Sequence, residues 1–440
     1  MFHLLEILAK AGCKVTFAAE NLQFHEPYST RLQAAGVEHL GVPHQSSVEV
    51  YLEKNAYTFD LVILSRKFVA ERFTDVIRRS SPRTKIIFDT VDLQFLRLQR
   101  QADLEKSAKL ALQAKKSYEE ELALMEKTDL TYVVSPIEKE ILTSVVPEDK
   151  IALVPLIQTI KQSKPPADER NGLLFVGGFQ HPPNLDAVEY FLDEILPLVR
   201  EKLPHVLVHI VGSKTPDRLR KRANDQIRIH GFVESLDDLF DQIKINNAPL
   251  RFGAGAKGKV NDSLARGVPT VATSIATEGM HLQNGESVLV GDDPETFADA
   301  VVRLHTDDDL WKRLSRAGIE NIERHTSFAA VSRQLFESFN RLLPDFFQPG
   351  RALPERVVPH YPIGEVLNFG EDGDAGEFLE NGWSEPHEGF RWVIGQKARI
   401  RMRWEDSAAP SHLICQVFPL LIPGKVSRQR VRLISPRGAT

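Results

Sequence analysis

The sequence predicts an α/β chain in which two successive parallel-sheet domains are followed by a small all-β domain. Three observations carry this. From Met1 to about Pro155 short β-rich runs alternate with helical patterns, as βα units around a mainly parallel sheet do. The same alternation resumes at Leu173 and passes into helices from Pro294 to Leu343. Near the C-terminus Ala398, Ile400, Met402 and Trp404 alternate strictly with Lys397, Arg399, Arg401 and Arg403. A length of 440 residues, about three times a ~150-residue domain, leaves room for all three with ample core.

Each element has its own signal. Met1 to Lys10 places apolar residues at helical spacing, with neither a basic leader nor a small-residue cleavage site, and reads as a core helix. Strands are expected at Lys14 to Ala18, Asp60 to Leu64, Lys85 to Asp89 and Thr131 to Ser135. Asp92 to Lys127 is highly charged and free of Pro and Gly, so it forms one long helix or two broken ones with a solvated face. Residues 158–172 are polar and Pro-containing, which makes them the linker between a first domain at 1–157 and a second at 173–345. In the second, strands are expected at Leu173 to Val176, Val206 to Val211, Ile227 to His230, a run ending near Leu250, Val268 to Thr273 and Ser287 to Val290. A Pro- and Gly-rich linker at 346–376 leads to the β module at 377–440.

Composition narrows the function. Lys plus Arg number 55 against 60 Asp plus Glu, a net charge of -5, which excludes a generally basic nucleic-acid binder. Hydrophobic residues at 42% and charged residues at 26% are those of a folded protein. Cys13 and Cys415 suggest neither a disulfide framework nor a cysteine zinc site, and a reducing cytosol fits them best. No run approaches 18 apolar residues. His205 and His209 share an i,i+4 spacing, but on a strand they stand about 13 Å apart and cannot chelate one zinc. No metal or other cofactor is expected.

The most informative segment is Gly253-Ala254-Gly255-Ala256-Lys257-Gly258-Lys259-Val260-Asn261-Asp262. Glycines let backbone N–H groups approach a phosphate, the following helix presents its positive end, and two lysines add charge. Lys259 and Asp262 lie three residues apart on one helical face, so a cation for diphosphate and a carboxylate for sugar hydroxyls can meet one ligand. The segment also fits GxxxxGK, the spacing of a triphosphate-binding loop. Val260 stands where that loop needs a hydroxyl for magnesium, and no convincing buried strand precedes it. A second close-approach loop follows a strand at Gly177-Gly178, ahead of a helix opened by Pro182 and Pro183. Gly231-Phe232-Val233 ends another strand, where backbone groups can meet a flat nucleobase.

Taken in order, Phe175-Val176-Gly177-Gly178, Pro183 to Val188, Gly231 to Val233, Ala248 to Arg251, Gly253 to Lys259, Ala265 to Thr273 and Glu278-Gly279-Met280 resemble glycosyltransferase family 4, the group 1 glycosyltransferases, over about residues 170–325. The resemblance implies a GT-B architecture, two Rossmann-like domains facing across a cleft, and retaining transfer of a sugar from a nucleotide-sugar without a metal. It places Lys257 and Lys259 on the donor diphosphate and Asp262 where the family has a ribose-binding Glu. Gly177, Gly178, Gly253 and Gly255 then approach the diphosphate, Gly231, Phe232 and Val233 line the base, and Glu278 joins the donor site. The family's earlier Glu maps to Ala254, which leaves the sugar-facing carboxylate unidentified.

The first domain departs further. Gly12 to Phe17 resembles the passage after the family's first helix, yet the strand and glycine loop that precede that helix are missing, so a truncated or mis-started frame is expected. Gln94 stands where relatives commonly place His near the donor sugar. Asp89 and Asp92 are candidates for sugar hydroxyls, with helix capping as the alternative for Asp92. Glu138, after the Thr131 to Ser135 strand, is given a structural role. In the tail, the segments around Trp383 and Trp392 resemble a β-sandwich module appended to bacterial surface-polysaccharide glycosyltransferases, here lacking closing strands. From Phe390 onward ten Lys or Arg face two Asp or Glu, a basic strip suited to anionic glycan or a peripheral membrane contact.

The expected protein is a retaining bacterial glycosyltransferase of surface polysaccharide biosynthesis with a glycan or lipid-linked acceptor. It would be cytoplasmic, at the inner face of the membrane. The alternative is a catalytically inactive nucleotide- or glycan-binding relative.

Overall fold

The computed structural model describes residues 1–42, 45–163 and 165–344; the 346–376 linker and the 377–440 β module, with Trp383, Trp392 and Trp404, lie outside the described residues. In the first half α1 (Phe2–Lys10) buries Leu4, Leu5, Ile7 and Leu8, the stripe its spacing predicts. There follow β1 (Thr16–Ala18), α2 (Tyr28–Ala34), β2 (Glu38–Leu40), α3 (Val48–Asn55), β3 (Leu61–Ser65), α4 (Lys67–Ser80), β4 (Lys85–Asp89), α5 (Gln94–Glu105), α6 (Ala108–Lys127), β5 (Leu130–Val133), α7 (Pro136–Thr143) and β6 (Ile151–Leu153). The charged stretch is thus two helices. Lys106 breaks it in the left-handed region at φ 50°, and Ser107 restarts it by accepting from the Leu110 N–H.

Strands β3, β4, β5 and β6 form one parallel sheet. Successive β4 residues point to opposite faces. Ile86 and Phe88 enter a core with Leu64, Phe73, Ile77 and Val133, whereas Ile87 joins Leu130 and Tyr132 under α1. Among the described residues β1 pairs only with β2, and β3 only with β4, so the first half carries a separate two-stranded sheet.

The second half runs β7 (Leu173–Val176), α8 (Pro182–Tyr190), α9 (Leu196–Lys202), β8 (Val208–Val211), α10 (Asp217–Arg220), β9 (Ile227–Gly231), α11 (Asp237–Gln242), β10 (Ile245–Ala248), α12 (Gly258–Ala265), β11 (Thr270–Ala272), α13 (Ser274–Thr277), β12 (Leu289–Val290), α14 (Pro294–Thr306), α15 (Asp308–His325) and α16 (Phe328–Leu342). Its six strands are parallel in the order β12-β11-β10-β7-β8-β9. The order reverses between β7 and β10, so the turns after those two strands flank a crevice at the carboxyl edge of the sheet. That is where Gly177-Gly178 and the Gly253 loop lie.

Two sequence expectations are corrected. The strand expected to end near Leu250 is present as β10, and it is a buried one after all: all four of its residues are buried, although Asn246 and Asn247 hide this from hydropathy. And α16 does not pack as one more helix of the second domain. Val331, Leu335 and Phe339 join the α1 core of the first half, Ser338 Oγ meets Tyr132 Oη at 2.6 Å, and Arg341 donates to the Ile151 carbonyl at 3.0 Å. The chain crosses back beside its first crossing, where the Gln158 N–H donates to the Thr326 carbonyl at 2.8 Å.

Candidate active site

The site is built where the turns after β7 and β10 face the β4–α5 turn. Gly177 leaves no room for a side chain: a Cβ there would stand 2.7 Å from Asn184 Cγ. Asn184, in the first turn of α8, is nearly buried and donates to the Gly178 carbonyl at 2.9 Å. Its Oδ1 accepts from Lys259 Nζ at 2.5 Å, and the same ammonium lies 4.9 Å from the centroid of the Phe175 ring. The glycine turn and Lys259, 82 residues apart counting from Gly177, therefore meet through one amide.

Gly255 adopts φ +68°, and a Cβ there would lie 3.1 Å from Asp92 Cβ and 3.2 Å from the Val91 carbonyl. Only glycine suits both the backbone region and the approach. The facing residue is itself unusual, since Val91 is β-branched and sits at φ 65°. Behind this contact Lys257 Nζ donates to the Gly255 carbonyl at 2.5 Å, with only 7% of the residue exposed.

Both lysines are electrostatically uncomfortable. Burial pulls Lys257 down to about 8, against partial support from Glu278, while Lys259 falls to about 7 through burial and the neighbouring Lys257 charge. Among the described residues neither ammonium lies within ion-pair distance of a carboxylate; their hydrogen-bond partners are neutral carbonyl and amide oxygens. An ammonium removed from water without a contacting carboxylate is costly, and at Lys257 the more distant charges of Glu278, Glu138 and Asp92 offset that cost only in part.

The candidate carboxylates are already engaged. Asp262 accepts from Arg266 Nη1 at 2.6 Å, and Arg266 also approaches Asp237 at 3.4 Å. Glu278 is held by Arg100, and Asp92 by Arg97 Nε at 2.8 Å. Asp89 accepts from Ser65 Oγ at 2.5 Å and from the Val91 N–H at 3.3 Å; burial pushes its carboxyl up. It thus supports the β4 end, and both of its oxygens are occupied by the protein.

The capping alternative for Asp92 is corrected. α5 has no side-chain cap from its own N-cap residue, Leu93. Two carboxylates from other helices serve instead. Glu138 of α7 accepts from the Leu93 N–H at 3.0 Å, and Glu121 of α6 accepts from the Gln94 and Phe95 N–H groups at 3.2 and 2.9 Å. Burial raises both carboxyls to about 7. This fixes the entry to α5 and hence Gln94, whose partly buried side chain starts the helix. Glu121 has no motif to betray it; only its depth reveals the role.

Gly231, at φ +69° with open space around it, closes β9 beside Gly212, whose N–H donates to the Gly231 carbonyl at 2.8 Å. A Cβ on Gly212 would stand 1.9 Å from the Gly177 carbonyl. The turns after β7, β8 and β9 are thus contiguous. Phe232 presents a 67% exposed ring, and Val233 packs beneath against the Val211 and Phe240 cluster. His181, missed by sequence reasoning, stands at the start of α8. Its imidazole is pushed down to about 4 by desolvation, then by Arg97, with Lys259 and Arg66 adding to the effect. Charges of both halves thereby meet at one point. His209 pairs with His230, Nδ1 to Nε2 at 3.1 Å, and among the described residues no cluster of three His, Cys, Asp or Glu is placed to hold a metal.

Two parallel-sheet halves opposed across a crevice, with glycine turns and two lysines at its second-half wall, define an α/β protein of the GT-B kind. The comparisons agree. Residues 170–307 match the family described as glycosyl transferases group 1. The chain is 24% identical over 193 residues to an uncharacterized 44.6 kDa protein in the cps region of Klebsiella pneumoniae, covering 42% of this chain and 50% of that one. It therefore spans half the length of that curated relative. Among solved structures it is similar to sucrose-phosphate synthase from Thermosynechococcus elongatus, with a TM-score of 0.59, 17% identity and coverage of 77% of this chain and 92% of that one. It is also similar to Anabaena Alr3699/HepE in complex with UDP and glucose, with a TM-score of 0.60, 10% identity and coverage of 77% and 95%. At these identities the likeness is one of fold.

Proposed function

We propose that this chain is a glycosyltransferase that takes a nucleoside-diphosphate sugar in the crevice and passes the sugar, with retention of configuration, to a glycan or lipid-linked acceptor. The observation that carries the reading is the pair Lys257 and Lys259, buried at the glycine turns with no carboxylate in ion-pair contact among the described residues. A diphosphate supplies the missing charge.

The chemistry follows from where charge develops. As the glycosidic bond to the donor breaks, negative charge grows on the departing diphosphate, and fixed ammonium groups stabilise that state more than the ground state. Gly258 and Lys259 are the first residues of α12, and the first N–H groups of a helix have no partner within it, so this reading gives them to the same diphosphate. Gly177 and Gly178, Gly253 and Gly255 allow backbone approach, the exposed Phe232 with Gly231 and Val233 suits the base, and Asp262 the ribose once freed from Arg266. This reading assigns Glu278, Asp92 and Gln94 to the sugar end. With lysines and helix N–H groups meeting the diphosphate, this reading assigns no metal. A surface-polysaccharide role is in line with the cps-region relative.

A second reading, a nucleotide- or glycan-binding protein without turnover, is favoured by one observation: Asp92, Glu278 and Asp262 are each paired with arginine. Transfer or donor hydrolysis by the purified chain, followed by NMR of the product anomer, separates the two. Turnover with a retained anomer supports the first reading. Binding without turnover supports the second.

A further inference from the structure

Arg100 belongs to α5 in the first half, yet its guanidinium is committed to the second. Nη1 donates to the Gly253 carbonyl and to Glu278 Oε2, each at 2.7 Å, and Nη2 donates to Glu278 Oε1 at 2.7 Å. This is a bidentate pair with an added bond to the glycine loop, at side chains only 19% and 25% exposed. Its two partners lie on either side of Lys257 in sequence, and both charges act on that lysine: Glu278 raises its pKa and Arg100 lowers it.

The Gly253 loop needs such an outside tie. Gly253 and Gly255 both have positive φ, at 155° and 68°, so the loop's own backbone preference does not fix one shape. A guanidinium that holds the first loop carbonyl and the Glu278 carboxylate together sets the loop's position relative to the β11–α13 segment. Among the described residues three of its five N–H donors are used, which leaves two for an incoming oxygen.

We propose that Arg100 is a donor-positioning residue supplied by the opposite half: by clamping Gly253 to Glu278 it holds the Gly253 to Lys259 loop in the form that grips a diphosphate. The proposal rests on the donor reading given above. Lysine at this position keeps the charge but cannot fork, so it distinguishes a clamp from a mere positive field.

The test uses Arg100→Gln, Arg100→Lys, Glu278→Gln and the double variant Arg100→Gln with Glu278→Gln, with UDP, GDP and ADP as probes. Affinity is measured by calorimetry, and loop opening by amide hydrogen exchange over residues 253–259 without ligand. The expected result is faster exchange in both glutamine single variants, a tenfold or greater loss of affinity for whichever probe wild type binds, the same loss in Arg100→Lys, and a double variant no worse than the worse single. Unchanged exchange overturns the clamp whatever the affinities. Faster exchange with wild-type affinity overturns the positioning role, as does restoration by lysine or losses that multiply in the double variant. If wild type binds none of the three probes, the donor reading fails and the positioning role with it, while the exchange data still show whether the clamp exists. Glu278→Gln keeps the test open should the Arg100 variants misfold.

Discussion

Raising the pH should weaken donor binding steeply, because the two lysines must be charged to grip a diphosphate and the empty site discharges them. With Lys259 at about 7 and Lys257 at about 8, both are largely neutral at pH 9 in the empty chain. A dianion between them restores both protons. Each unit by which the pH exceeds an empty-site pKa costs about 1.4 kcal/mol of binding, so from pH 7 to 9 the two sites together weaken affinity by about 3 to 4 kcal/mol, a few hundredfold. An intact nucleotide-sugar is the proper probe, since its diphosphate carries no titrating proton in this range. Calorimetry at pH 8.5 in two buffers of different ionisation enthalpy should register uptake of more than one proton per ligand. A flat affinity from pH 7 to 9 with no proton uptake would refute the assignment of these lysines to the anion.

Other outcomes follow from the same geometry. Lys259→Met keeps the shape but removes a charge that the empty fold tolerates poorly, so the variant should melt at a higher temperature than wild type at pH 7 while losing nucleotide binding; calorimetric melting checks the first half. The lysines, with folded pKa values below the ordinary one, leave the folded chain holding fewer protons than the unfolded chain from about pH 7 to 10, so stability rises with pH there. Glu121 and Glu138 act in the opposite sense. Their folded pKa values are raised to about 7, so their contribution is complete below the unfolded value and is lost as pH rises through 7. Glu138→Gln should flatten the loss of stability that urea titrations detect between pH 5 and 8. Gly255→Ala imposes a left-handed alanine, about 1 to 2 kcal/mol, against Asp92 and Val91. It should lower nucleotide affinity at least tenfold with a melting shift of only a few degrees.

Much of the second half was legible because its signals are local. Glycine turns after apolar runs, Pro182 and Pro183 at a helix start, and the spaced lysines each need only a few neighbouring residues. The strands at 85–89 and 173–176 appear where expected, and the charged 92–127 stretch divides as one of two alternatives allowed. What escaped depends on distant partners. Arg100 reads as one of several helix-face cations until Glu278 and Gly253 are brought to it. Asn184 acquires meaning only when Lys259 lands on its amide. Glu121 looked like a member of a charged helix and Glu138 had only an unspecified structural role, yet both cap α5 because their helices pack against its start. The membership of α16 in the first core is likewise invisible in its amphipathic pattern, which says that a face is buried but not against what.

The most direct test of the account is a calorimetric titration of UDP, GDP and ADP sugars into wild type and into Lys257→Ala with Lys259→Ala. At least one donor should bind wild type, and the double substitution should weaken it by a few kcal/mol, given about 1.5 to 3 kcal/mol for each charge-assisted hydrogen bond. Unchanged affinity in that variant, or no donor bound by wild type, would contradict the claim that these two ammonium groups await a diphosphate.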